Sequence, residues 1–198
     1  MAYATPDQLR LLLRLPAFTG DDEARAQLLL DLAEGVIDDE TGQALQESTD
    51  TVLLDSPTRY RAWPYVQGAG DRRLVLPRWP VKAVASVTVL GEDGTADVLD
   101  EGADRDYTWS AAGILTRVAA CWPLHDRSVQ VTYTAGHNPL PKSLPGIELR
   151  LAASAWSNPL PVSSESLGDH SISYSAEALG MTLSKADRRT LGLYRART

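Results

Sequence analysis

The sequence predicts an α+β protein: a helical bundle of about four helices with an antiparallel β module, a small barrel or sandwich, inserted between the second helix and the later ones. Three observations lead there. Apolar residues recur at three and four residues near both ends of the chain, β-branched and aromatic residues alternate with polar ones between them, and the helical stretches on either side carry apolar stripes that neither can cover alone. The expected division is residues 1–50 with 137–198 as the helical domain and 51–136 as the β module.

Thr5-Pro6-Asp7-Gln8 opens the first helix, because Thr5 can cap, Pro6 suits the first helical position and Gln8 stands where a capping-box partner reaches back. The helix should end near Arg14, before Pro16 and Gly20. Asp21, Asp22 and Glu23 then place negative charge at the start of a second helix, as its dipole favours, and this one should run to about Gly42. Leu28, Leu32 and Val36 form one ridge along it, and Leu29, Ala33 and Ile37 the ridge beside it.

The β character starts at Thr51. Ala83 to Leu90 and Val129 to Thr134 alternate most cleanly, with Glu92-Asp93-Gly94 as a turn after the first; Tyr60–Val66, Arg72–Leu76, Ala96–Leu99, Tyr107–Ser110 and Gly113–Val118 are shorter strands. After Pro139-Leu140-Pro141-Lys142 the helical period returns in Leu144, Ile147, Leu151 and Ala155, until Asn158-Pro159. Residues 164–174 read as a lone strand entered by the Gly168-Asp169 turn, with Ile172 and Tyr174 on one face. Its backbone must pair with some edge, which need not belong to the same chain. A last helix opens at Ser184, with Asp187 three residues on and Leu191 and Tyr194 on its weakly apolar side.

Composition narrows the function classes. The chain of 198 residues is 43% hydrophobic and carries a formal net charge of −7, so it can bury a core, and it has no apolar run long enough to span a membrane. It is expected to be soluble and intracellular when made. Cys121 is the single cysteine and His125, His137 and His170 the only histidines, so neither an internal disulfide nor a cysteine-histidine zinc site is expected. The acid is concentrated early: residues 1–60 hold 4 basic and 12 acidic side chains, and residues 61–198 hold 15 and 14. The last fifteen residues reverse the sign with Lys185, Arg188, Arg189, Arg195 and Arg197 against Asp187. That pattern fits either a solvated helix end or an electrostatic docking tail.

No catalytic constellation emerges. The chain lacks a Gly-x-Ser-x-Gly elbow, and Asp169-His170, His125 and His137 read as turn residues. Gln67-Gly68-Ala69-Gly70-Asp71 lacks a phosphate-loop lysine and reads as a hairpin tip. Asp38-Asp39-Glu40 reads as a solvated helix face rather than a metal site. Trp63, Trp79, Trp109, Trp122 and Trp156 raise a carbohydrate-binding module as an alternative, although core packing is their default role. No enzyme activity, cofactor or metal is expected.

Several stretches together resemble the head-to-tail connector (adaptor, or head-completion) proteins of long-tailed double-stranded DNA bacteriophages. They are Tyr3 to Leu9, Leu76-Pro77-Arg78-Trp79-Pro80-Val81 followed by Val84 to Val89, Val129 to Gly136, Pro145 to Trp156, and Ser166 to Tyr174, in the expected order over most of the chain. The resemblance implies a structural virion protein at the phage neck, present in the host cytoplasm before assembly. It implies a dodecameric ring beneath the portal that continues the DNA channel toward a stopper or tail-completion protein and lets double-stranded DNA pass without sequence-specific binding. A tail-completion or stopper protein is the nearest alternative. The compact all-helical members of that family lack a β module of this size.

In this frame Leu167, Gly168, Asp169, Ile172, Tyr174, Arg188, Arg189, Tyr194 and Arg195 are the candidate contacts to the portal or a neighbouring subunit. Asp31, Glu34, Asp38, Asp39 and Glu40 are the candidate channel-facing residues, since a conduit for a polyanion should not be basic. Removing residues 164–198 is expected to leave a folded chain that no longer docks.

Overall fold

The computed structural model describes residues 2–55, 72–157 and 180–196. The 164–174 strand, with Leu167, Gly168, Asp169, Ile172 and Tyr174, lies outside the described residues, as do the Tyr60–Val66 strand, the 67–71 tip, Trp63 and His170. Within the described residues the protein is α+β, with four α-helices and antiparallel sheets, and its contacts divide it into two compact units. One comprises 1–43 with 139–195 and the other chiefly 44–138.

In the helical unit, α1 spans Pro6–Leu13 and α2 Asp22–Thr41. The Thr5/Gln8 capping box is formed on both sides, and Arg14, in the left-handed region, closes α1. Gly42 ends α2 with φ +68°, a left-handed conformation that glycine adopts without strain. Helix α3 covers Ser143–Ser157 and α4 covers Lys185–Leu191, followed by a 3-10 turn at Gly192–Tyr194. The two ridges of α2 separate: Leu29, Ala33 and Ile37 are buried, whereas Leu32 and Val36 are half-buried and Leu28 is 55% exposed. The core stripe instead recruits Ala26 and Leu30 and packs chiefly on α3 through Leu144, Ile147, Leu151 and Ala155.

Met181 and Leu191 are buried in this unit. Asp187 both completes the capping box with Ser184 and pairs with Arg150 of α3. The segment from Gly180 onward is therefore part of the helical core and not a detachable tail, so removal of 164–198 is expected to damage the fold itself.

The β unit holds two sheets with one shared core. Strands β1 (Ser48–Leu54), β2 (Arg73–Val75), β3 (Val81–Leu90), β4 (Ala96–Leu99), β5 (Tyr107–Ser110), β6 (Ile114–Arg117) and β7 (Val129–Ala135) assort as β1-β7-β3-β4 and β2-β6-β5. The pairings between these strands are antiparallel. Leu74, Val87, Leu99, Tyr107, Leu115, Trp122, Val129, Val131 and Tyr133 come from both sheets and the loops into one apolar cluster, which is what lets strands of three or four residues persist. Strand β1 was not legible as a strand, and it begins at Ser48, before the change of character at Thr51. Its outward Thr49 and Thr51 bond Thr134 and Thr132 of β7 at 2.7 and 2.9 Å.

Candidate functional site

The acidic helix and the basic carboxyl-terminal segment meet within the helical unit. Glu40 on α2, whose side chain is 11% exposed, receives Arg195 and, at 3.5 Å, Arg188. One residue type answers the other: a carboxylate in the last turn of a helix works against the helix dipole, and two guanidinium groups from α4 and its extension offset that. Gln43 Nε2 donates to the Tyr194 carbonyl at 2.6 Å, so the 3-10 turn is held as well.

The five candidate channel-facing acids therefore have different circumstances. Glu40 is paired with Arg188 and Arg195, and Asp38 accepts the Tyr3 hydroxyl. Asp31 is exposed and accepts from Gln27 at 2.8 Å, and Asp39 is exposed. Glu34 is half-buried, and burial pushes its carboxyl above the ordinary value. Among the candidate docking cations, Arg188 and Arg195 pair with Glu40 while their side chains stay largely open to solvent, and Arg189 is exposed as well. Beside them lies a cleft of about 350 Å³ lined by Val36, Asp39, Glu40, Met181, Leu183 and Arg188. Leu193, 71% exposed, is the most open large apolar side chain of the described residues.

Two residues outside these candidates organise the units. Arg78, in the Leu76-to-Val81 stretch, donates to the carbonyls of Ala44, Gln46 and Ala135 at 3.1, 2.7 and 3.3 Å, to Ser48 Oγ at 2.6 Å, and to the Asp50 carboxylate. It thereby ties the approach to β1 and the end of β7 together, with its own side chain only 12% exposed. The second is Glu148, on the core face of α3. Its Oε1 accepts the Tyr3 N–H at 3.1 Å, and among the described residues its Oε2 is buried with no hydrogen-bond partner. Spacing alone could have singled it out: it stands four residues after Leu144 and three before Leu151, in the middle of the apolar stripe.

None of the described tryptophans is exposed. Trp122 is buried and donates to the Arg72 carbonyl, Trp79 and Trp109 are half-buried, and Trp156 stacks beneath Arg25 at 4.5 Å. A sugar-stacking platform needs open ring faces, so these rings do not favour that alternative. No group of three or more potential metal ligands occurs among the described residues.

No family model and no curated protein matches the chain. Solved structures do. A chain from the neck of an empty GTA particle computed with C6 symmetry aligns with a TM-score of 0.58 at 17% identity, covering 99% of this chain and 91% of that one. A chain from the virion of a native gene transfer agent (GTA) particle gives 0.55 at 18%, covering 99% and 91%. One from the neck of a native GTA particle computed with C12 symmetry gives 0.54 at 18%, covering 97% and 88%. At such identities the likeness is one of fold, and it extends over both units.

Proposed function

We propose that this chain is a structural subunit of the neck of a phage-like particle, a head-to-tail connector that assembles as a ring and joins portal to tail around the DNA channel. The observation that carries the reading is the likeness of fold over 97–99% of the chain to chains from GTA neck and virion structures. The β module is included in that likeness, although the compact all-helical connectors lack it. Two of those structures were computed with C6 and C12 symmetry, which supports a cyclic arrangement here; a head-to-tail interface closes into a ring when its rotation permits. In this reading the helical bundle forms the connector body and the β unit is an insertion in it.

The decisive experiment is electron microscopy of purified particles bearing an epitope on this chain. Label arranged as a ring at the head-tail junction is the expected result. Particles that lack the chain, or carry it elsewhere, overturn the reading. A tail-completion or stopper protein is separated by pull-down against portal and against tail tube, since a connector should retain the portal.

The lumen assignment of α2 has its own test. Asp31→Lys with Asp39→Lys changes the exposed acids and leaves the Tyr3–Asp38 and Glu40–arginine contacts intact. Assembled particles carrying it should retain and deliver DNA less well, because added lysines hold phosphate through counterion release. Unchanged delivery removes α2 from the channel wall. For the 166–174 segment, Ile172→Ser with Tyr174→Ser is preferable to truncation, because Met181 and Leu191 remain in the core. Loss of portal or neighbour binding by the otherwise folded variant is the expected outcome.

A further inference from the structure

Glu148 is 0% exposed, and it lies against a segment that is itself nearly closed to water, with Tyr3 and Ala4 at 7% and 4%. The Tyr3 N–H donates to one carboxyl oxygen, and the Tyr3 hydroxyl reaches across to Asp38 of α2. The other oxygen of Glu148 is a buried acceptor with no partner among the described residues. A carboxylate so placed is stable only beside a positive charge, and no side chain of the described residues supplies one.

The cations of the helical unit among the described residues are all accounted for. Arg10 bonds Asp7 and the carbonyls of Leu15 and Pro16, Arg25 lies over Trp156, Arg150 pairs with Asp187, and Arg188 and Arg195 pair with Glu40. Arg14, Lys142, Lys185 and Arg189 are exposed. The charges that act on Glu148 are instead Glu34 and Asp31 of α2, both of its own sign.

We infer that Glu148 and the backbone of Tyr3 and Ala4 form a proton-dependent latch: the neutral acid keeps the segment docked on α3, and loss of its proton opens that contact. Burial raises the carboxyl to about 8, the N–H groups of Tyr3 and Ala4 oppose this, and Glu34 and Asp31 reinforce it. The ordinary value is 4.5, so the folded state prefers the protonated group relative to the unfolded chain. The latch therefore contributes fully below about pH 4.5, weakens as the pH climbs, and is lost through pH 8. The docked segment also carries the cap of α1, since Thr5 follows Ala4 directly. Release should fray α1 from its first turn.

The test is an NMR titration of the full chain from pH 5 to 9.5, following the Glu148 side-chain carboxyl carbon together with amide-exchange protection at Tyr3 and Ala4. In the wild type the carboxyl should inflect near pH 8, and the protection of both amides should fall by up to about tenfold for each pH unit from pH 5 toward that inflection and level off above it. Glu148→Gln should keep both amides protected across the range. Glu34→Gln with Asp31→Asn, which leaves the latch residues in place, should move the inflection to lower pH. A carboxyl that titrates below pH 6 overturns the proposal, and so does amide protection that ignores the inflection. If Glu148→Gln does not fold, the Glu34/Asp31 pair decides alone: an inflection that stays in place sinks the latch.

Discussion

Arg78 in the β unit and Glu148 in the helical unit are both withdrawn from water, yet one is surrounded by partners and the other is left half unsatisfied. The guanidinium has acceptors on Ala44, Gln46, Ser48, Asp50 and Ala135, a geometry that its planar fork is suited to fill. The carboxyl has one backbone donor placed at hydrogen-bond distance and two acids facing it. A buried charge with a full set of partners makes a structure insensitive to its surroundings, whereas one without them ties the structure to pH. The β unit thus joins its strands by a fixed clasp, and the helical unit by one that a proton can undo.

Breaking the clasp should have the largest effect. Arg78→Met leaves the Asp50 carboxylate and several carbonyls without their donor, and should destabilise the β unit by about 3–5 kcal/mol in denaturant titrations followed at the Val131 methyl groups. Arg78→Lys should recover only part of this, because an ammonium group cannot reach acceptors on both sides of the fork. Next comes Gly136→Ala. Gly136 has φ +109°, and an added Cβ would meet the Gln46 carbonyl oxygen at 2.5 Å, so the approach to β1 must shift; a loss of about 2 kcal/mol or more is expected from the same measurement.

Changes in the helical unit should be smaller and more dependent on conditions. Although burial opposes it, bonds from the Ser184 hydroxyl and backbone and from Arg150 hold Asp187 below the ordinary carboxylate range. That contribution is present above the unfolded value and lost as pH falls through the folded one. Ser184→Ala should cost about 1 kcal/mol at neutral pH and less in acid, read as thermal melting at pH 7 and pH 3. Smallest is the Thr51–Thr132 pair on the outer face of the sheet. A double-mutant cycle to alanine should return a coupling of about 0.5 kcal/mol, independent of pH. A strongly pH-dependent coupling there would blur the distinction between the two units.

The elements that were legible in the sequence are those whose signals are local. Thr5 and Gln8, Ser184 and Asp187, the glycine that ends α2 and the alternation of β3 and β7 each act within a few residues, and the structure contains all of them. Strand β1 was hidden because Ser48-Thr49-Asp50-Thr51 has no buried face of its own; its pairing with β7 and the reach of Arg78 make it a strand. The equal weight given to two ridges on α2 failed for a related reason. Periodicity fixes a stripe, but the partner helix decides which edge of the stripe is covered, and α3 covers the Leu29 side. From sequence Asp38-Asp39-Glu40 is a solvated face, since nothing in its spacing foretells a tyrosine 35 residues away or arginines near the far end of the chain. Glu148 is inconspicuous for the opposite reason, being one polar letter in an apolar stripe.

The turn between β3 and β4 has a practical consequence. Gly94 N–H closes onto the Gly91 carbonyl, Asp93 accepts from the Thr95 backbone and hydroxyl, and a Cβ built at Gly94 meets nothing within 4 Å. The tip secures itself with its own bonds and projects into open space, so a short peptide tag grafted there should leave the apolar cluster below undisturbed. Such a handle would let antibody fragments bind the folded chain without touching its core.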